Sequence, residues 1–424
     1  MPGRRSPSTT RSLWTGRWRA PLAVALLAPL LIGLGAASSR RVVAGPSDWE
    51  QGPPSDPSHF PLAVWLQSPG NAEAYRAIGI NLYVGLWQGP TEAQLAELAA
   101  AGMPVMADQN ALGLAHRADP ILQGWLQPDE PDNAQPDGQG GYGPCVDPAS
   151  VQARYARMRQ ADPSRPVFLN LGQGLAWDRD QPYVGRGSAC AGRWDHYPEY
   201  ARGSDILSFD IYPVTSPYPQ IQGQLWRVAL GVDRLREWAG PDKILWNAIE
   251  TTHINSERMP SPAQVRAEVW MSIVHGSRGI LYFAHEWQPS FREAGLLHYP
   301  EMRAGVAAIN REVTALAPAI HAPADPGAVR ARASDPELPI DILVTHADDA
   351  TYVFAVSMRD RPSLVRFELA AAPGAAATVE AIGEDRRIAI QGGRFEDRFA
   401  GYAVHLYRLP RLADARLMLP WLRR

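Results

Sequence analysis

Eight short apolar runs, most of them separated by segments of helical periodicity, constrain this chain more than any other feature. The runs are PLAVWLQ (61–67), NLYVGLWQ (81–88), PVMADQN (104–110), ILQGWLQPDE (121–130), PVFLNLGQG (166–174), ILSFDIYPV (206–214), KILWNAIE (243–250) and GILYFAHEW (279–287). Each is rich in β-branched or aromatic residues and mostly apolar through its first half, which suits parallel strands covered on both faces. Between them lie TEAQLAELAAAG, DPASVQARYARMRQAD, GQLWRVALGVDRLREWAG, SPAQVRAEVWMSIVHGSRG and PEMRAGVAAINREVTALAPAI, with apolar residues at three- and four-residue spacing. ALGLAHRADP, between the third and fourth runs, leaves room only for a short helix. Eight strands with seven or eight helices read as an α/β fold, a closed (β/α)8 TIM barrel over residues 59–322, rather than an open doubly wound sheet.

Beyond about residue 323 the period changes to short alternating strands: ILVTHA, TYVFAVSM, LVRFELA, ATVEAIG, RRIAIQG and YAVHLYRL. Residues 323–410 therefore read as a small C-terminal antiparallel β-sandwich, followed by a basic, apolar tail (411–424). At the other end, Arg4, Arg5, Arg11, Arg17 and Arg19 precede an apolar stretch and then Ala36, Ala37 and Ser38. That order is expected of an export signal or an N-terminal membrane anchor over residues 1–45, with a Pro-rich linker (46–58) behind it. Export places the protein outside the cytoplasm (secreted, periplasmic or anchored facing outward), where Cys145 and Cys190, the only two cysteines, are free to pair.

In a barrel, side chains at the carboxyl ends of the strands line the active site. Here those ends supply Trp65, Trp87, Asp108, Asn110, Asp129, Glu130, Asn170, Asp210, Tyr212, Asn247, Glu250, His285 and Trp287. Amides and carboxylates bind sugar hydroxyls, and tryptophan faces stack on the C–H faces of pyranose rings. Other barrel chemistries fit less well. Lys243, the only lysine, begins its strand and is at the wrong end for a Schiff base. No histidines are spaced as metal ligands, and no glycine-rich phosphate loop precedes a helix. A net charge of −3, without a basic run in the folded part, gives no reason to expect nucleic acid. The expected partner is a carbohydrate, with no metal and no cofactor.

Glu130 and Glu250 close the fourth and seventh runs, and Tyr212 and Trp287 belong to the sixth and eighth. In this pattern the chain resembles the clan A retaining glycoside hydrolases, and among them the family 42 β-galactosidase-type barrels. The resemblance covers residues 60–320 as a strand-by-strand pattern. It implies an acid/base at Glu130, a nucleophile at Glu250 supported by Tyr212, and Trp287 beneath the bound sugar. The reaction expected is retaining hydrolysis of β-linked glycosides, with the two carboxyl groups about 5–5.5 Å apart. The clan's asparagine before the acid/base is replaced by Asp129. An Asp-Glu pair at that place also suits substrate-assisted cleavage of N-acetylhexosaminides, in which no protein nucleophile is needed and Glu250 only binds. A barrel that binds carbohydrate without turnover is the third reading.

Overall fold

The computed structural model describes residues 49–371 and 377–412. The expected export segment (1–45) and most of the expected tail lie outside them. The eight apolar runs form β1 (Leu62–Trp65), β2 (Leu82–Val84), β3 (Val105–Asp108), β4 (Leu122–Leu126), β5 (Val167–Leu171), β6 (Ile206–Phe209), a seventh strand broken at Trp246 into β7 (Ile244–Leu245) and β8 (Asn247–Glu250), and β9 (Ile280–Phe283). All pair in parallel. β1 pairs with β9, and a bridge from Asp210 to Ala248 ties the end of β6 to β8 across the break. The sheet thus comes round on itself as a barrel.

Strand alternation sorts the side chains into two layers. Ala63, Leu82, Val84, Met106, Leu126, Phe168, Trp246, Ala248 and Leu281 fill the barrel interior. Val64, Tyr83, Val105, Trp125, Leu169, Leu207, Ile249 and Tyr282 face outward into a core shared with the helices. Trp125 and Trp246 are both core residues, one in each layer. Gly124 is required where β3 and β4 slip register, because a Cβ there would lie 2.7 Å from the Met106 side chain.

The helices are α1 (Ala72–Ala77), α2 (Glu92–Ala101), α3 (Ala111–Ala115), α4 (Pro148–Ala161), α5 (Tyr197–Ala201), α6 (Arg227–Ala239), α7 (Pro262–Val274), α8 (Gly295–His298) and α9 (Pro300–His321). Their ends follow local signals. Thr91 with Gln94, and Ser261 with Gln264, form capping boxes that satisfy first-turn amides. Gly102 stops α2 in a left-handed conformation. As its sequence demands, α3 is a single short turn, capped by Asn110.

The C-terminal part is a sandwich of two antiparallel sheets. β10 (Val329–Ala333), β13 (Ser363–Leu369) and β16 (Arg394–Phe399) make one. β11 (Ile340–Ala347), β12 (Ala350–Ser357), β17 (Val404–Pro410), β14 (Thr378–Ala381) and β15 (Arg386–Ala389) make the other. β10 and β16 escape sequence reading because VRARA alternates arginine with small apolar residues and RFEDRF is mostly charged. Only Val329, Phe395 and Phe399 reach the sandwich core. The second sheet rests on α7, where Phe354 stacks on Trp270 at 5.2 Å. Arg266 binds both Glu312 on α9 and the Val404 carbonyl. This docking fixes α7, which in turn backs the seventh strand.

Candidate active site

The carboxyl ends of the strands open into a cavity of about 420 Å³. That size is in the range of small-molecule sites. Asp129, Glu130 and Asp210 form its acidic floor, beside Asn170 and Tyr212. Trp65, Trp87, His285 and Trp287 make one wall, as their positions at the strand ends predict. Trp87 stacks on His285 at 5.6 Å, and Trp287 meets the other side of His285 edge-on. His285 donates from Nε2 to the Leu66 carbonyl, and its burial lowers its pKa, so it serves as a neutral spacer between the two rings. With Trp87 and Trp287 41% and 45% exposed, two indole faces remain open to a ligand.

Glu130 lies four residues beyond β4, in a left-handed backbone conformation (φ 45°) that is uncommon outside glycine. Three hydrogen bonds hold it there: its N–H donates to the Asn170 carbonyl at 3.0 Å, and its carbonyl accepts from Asn133 N–H and Gln135 Nε2. The PDEPDN turn therefore aims consecutive carboxylates into the cavity. Asp132, by contrast, turns away. It accepts from Gly172 N–H at 2.8 Å and from the Tyr197 hydroxyl, anchoring the loop after β4 to the end of β5.

The acidic floor is electrostatically strained. Asp210 is buried, which raises its pKa well above the carboxylate range, and the Glu130 and Asp129 charges raise it further. Its carboxyl lies against that of Glu130, and this contact also favours the protonated form of Asp210. Asp129 is pushed up to about 7 by desolvation in the cavity and by the Glu130 charge. Asn170 bridges the floor, its Nδ2 donating to Asp129 at 3.1 Å and to Asp210 at 3.3 Å. The cation opposing these charges is Arg186, 3.0 Å from Glu130. Such clusters of perturbed carboxyl groups in a cleft are a mark of acid–base chemistry.

Four expected site residues are not brought into this cavity. Glu250 is fully buried and both its oxygens are taken: Val214 N–H donates to one at 2.6 Å and Thr215 N–H to the other at 2.9 Å. The buried Glu268 carboxyl on α7 lies against Glu250, and among the described residues no other group satisfies its oxygens. The seventh strand instead presents Ala248 to the cavity. Alternation predicts that Glu250 points inward with Ala248, but the orphan amides of the loop after β6 capture it at the strand end. Asn247 faces outward and donates to Ser272 on α7. Asp108 and Asn110 line a separate groove with Arg154 and Arg157, where Asn110 accepts from Gly113 N–H as the α3 cap. Gln173, at the end of the fifth run, also lines the cavity, and Asn133, Tyr183, Arg186, Asn255 and Phe283 join it from outside the expected set. Tyr183 and Arg186 come from the long loop between β5 and α5, whose fold no local sequence signal specifies. Cys145 and Cys190 are free thiols in contact, at the base of the same two loops.

No protein-family model and no curated protein sequence matches the chain. Among solved structures, it is similar to a putative alpha-galactosidase from Bacteroides fragilis NCTC 9343, with 11% identity and a TM-score of 0.51, over 84% of this chain and 80% of that one. An alpha-amylase from Geobacillus thermoleovorans, complexed with acarbose, aligns over 84% of this chain and 99% of its own at 10% identity and a TM-score of 0.47. At these identities the first likeness shows the shared fold, a parallel barrel followed by an antiparallel β-domain.

Proposed function

We propose that this chain is a glycoside hydrolase in which Glu130 protonates the leaving oxygen. The observation that carries the reading is the cluster of Asp129, Glu130 and Asp210 beneath open tryptophan faces. A carboxyl set against a buried, protonated neighbour has a proton source beside it for general acid catalysis, which contributes typically 10²–10⁴-fold. Arg186 holds Glu130 until a sugar enters and displaces the guanidinium. Because Glu250 does not line the cavity, the substrate-assisted route is favoured over the two-glutamate one. In that route a 2-acetamido carbonyl attacks the anomeric carbon, and Asp129 orients the group and takes up its developing N–H charge. Water then opens the oxazolinium, with Glu130 acting as base. The basic and apolar order of residues 4–38 supports action outside the cytoplasm.

The test is hydrolysis of aryl glycosides with and without a 2-acetamido group by the wild type and by Glu130→Gln, Asp129→Asn and Glu250→Gln. Turnover confined to acetamido sugars, inhibited by a thiazoline analogue, lost in the first two variants and retained in part by the third, supports the proposal. Turnover of 2-hydroxy sugars that disappears with Glu250 would restore the two-glutamate mechanism. The Glu130–Arg186 ion pair favours one other reading, a binding barrel. Saturable sugar binding without turnover across the series would establish it.

A further inference from the structure

The opposite end of the barrel holds a second, smaller cavity of about 30 Å³. Its walls come from the amino ends of the strands: Pro61 before β1, Ile206 and Ile244 opening β6 and β7, and Arg278 before β9, with His59 and His321 beside them. Arg278 is only 6% exposed, and among the described residues no carboxylate pairs with it. Its side chain makes one long hydrogen bond, 3.4 Å to the Ser277 carbonyl, although a guanidinium carries five N–H donors. The nearby charge is a like one, Arg236, and burial together with Arg236 pushes Arg278 down to about 10. At neutral pH the group is still charged. A buried charge without a counter-charge is among the more costly arrangements in a protein.

A second donor sits in the same cavity. Trp246 is 1% exposed and its indole Nε1 has no partner. Its ring crosses residue 279 so closely that a Cβ there would lie 2.5 Å from Nε1, and its side chain lines the cavity together with that of Arg278. Trp49, on the covering segment, also lines the cavity with an indole Nε1 that is buried and unpartnered. His321 donates its Nε2 to the His59 carbonyl and is held neutral, its pKa pushed down to about 4 by burial and by Arg278. Donors share this cavity, and among the described residues that line it none is acidic.

We infer that this floor cavity is a binding site for one small monovalent anion of halide size, held by the Arg278 guanidinium and the Trp246 indole N–H. A volume of this order admits one or two water-sized bodies, which excludes phosphosugars and carboxylated metabolites. The site is at the end of the barrel where residues stabilise the fold, not at the catalytic mouth. The anion neutralises Arg278 and closes the broken seventh strand, at Trp246, against the start of β9. Its effect is on stability, so it stands or falls independently of the glycosidase reading.

The experiment is thermal unfolding of the wild type and of Arg278→Met in sodium gluconate, chloride and bromide at matched ionic strength. The wild type is expected to gain several degrees in chloride and bromide, saturably, as a ligand that binds only the folded state requires. Gluconate, too large for the cavity, should give no such gain, and neither should the variant in any salt. An equal gain in gluconate, or a halide gain that persists in the variant, overturns the inference. If Arg278→Met does not fold, crystals of the wild type soaked in bromide decide. Anomalous density within hydrogen-bonding distance of Arg278 and Trp246 Nε1 supports the site, and its absence refutes it.

Discussion

Replacing Glu250 and Glu268 together by glutamine should flatten part of the protein's stability against pH. In the folded chain burial pushes Glu250 from its ordinary 4.5 up to about 7, against the pull of the Val214 and Thr215 amides. Burial and the Glu250 charge also raise Glu268 well above its ordinary value. The folded state therefore binds more protons than the unfolded one between about pH 4.5 and 7, and stability must fall as pH rises through that window. For Glu250 alone, at about 1.4 kcal/mol per tenfold change, the loss is about 3 kcal/mol. Glu268 shifts in the same direction and adds to it. The double variant lacks both carboxyls and should lose less stability by about that amount or more on going from pH 4 to pH 8.5. Urea unfolding at the two pH values, in the same ionic strength, measures the difference. A glutamine amide faces one backbone N–H with another donor and costs stability at every pH. The informative quantity is accordingly the pH slope, not the absolute value. A variant whose slope equals that of the wild type would refute the buried, proton-sharing arrangement, and with it the argument that Glu250 is withheld from the cavity.

Arg186→Met should move the pH profile of turnover to more alkaline values, because the Asp129 and Glu130 cluster loses the cation opposing it; an unchanged profile would mean that Arg186 does not face the cluster in solution. Trp87→Ala and Trp287→Ala should each raise KM by about 3- to 10-fold, the weight of one stacking contact of about 0.5–1.5 kcal/mol, with kcat little changed. A loss of kcat alone would remove them from the binding wall. Mild oxidation should join Cys145 to Cys190, whose thiols already touch, and protect both from a maleimide label. Closing a loop of that length should add about 2–4 kcal/mol to stability, read as a higher urea midpoint. Continued labelling of both cysteines after oxidation would show that the two loops hold them apart.

The barrel was legible because its evidence is local and repeated. Apolar runs such as VFLNL and ILYF can be satisfied only between two covering layers, and Thr91 with Gln94 or Ser261 with Gln264 marks a helix start without reference to anything distant. The same logic placed Trp65, Trp87, Asp129, Glu130, Asn170, Asp210, Tyr212, His285 and Trp287 at the mouth, since the carboxyl ends of a closed barrel's parallel strands gather there. What the tertiary structure alone decided was which of these side chains face a ligand. Alternation fixes direction only while the backbone stays extended. Past the strand end a left-handed residue such as Glu130 re-aims its side chain, and Glu250 turns to whichever buried amides lack an acceptor. Asn110 turns to cap α3 and lines a neighbouring groove with Asp108, and Arg186 arrives from a loop whose path depends on contacts far away in sequence. Hydrophobic period is a property of neighbours in the chain, whereas the partner of a buried charge is set by whatever the fold brings within about 3 Å of it.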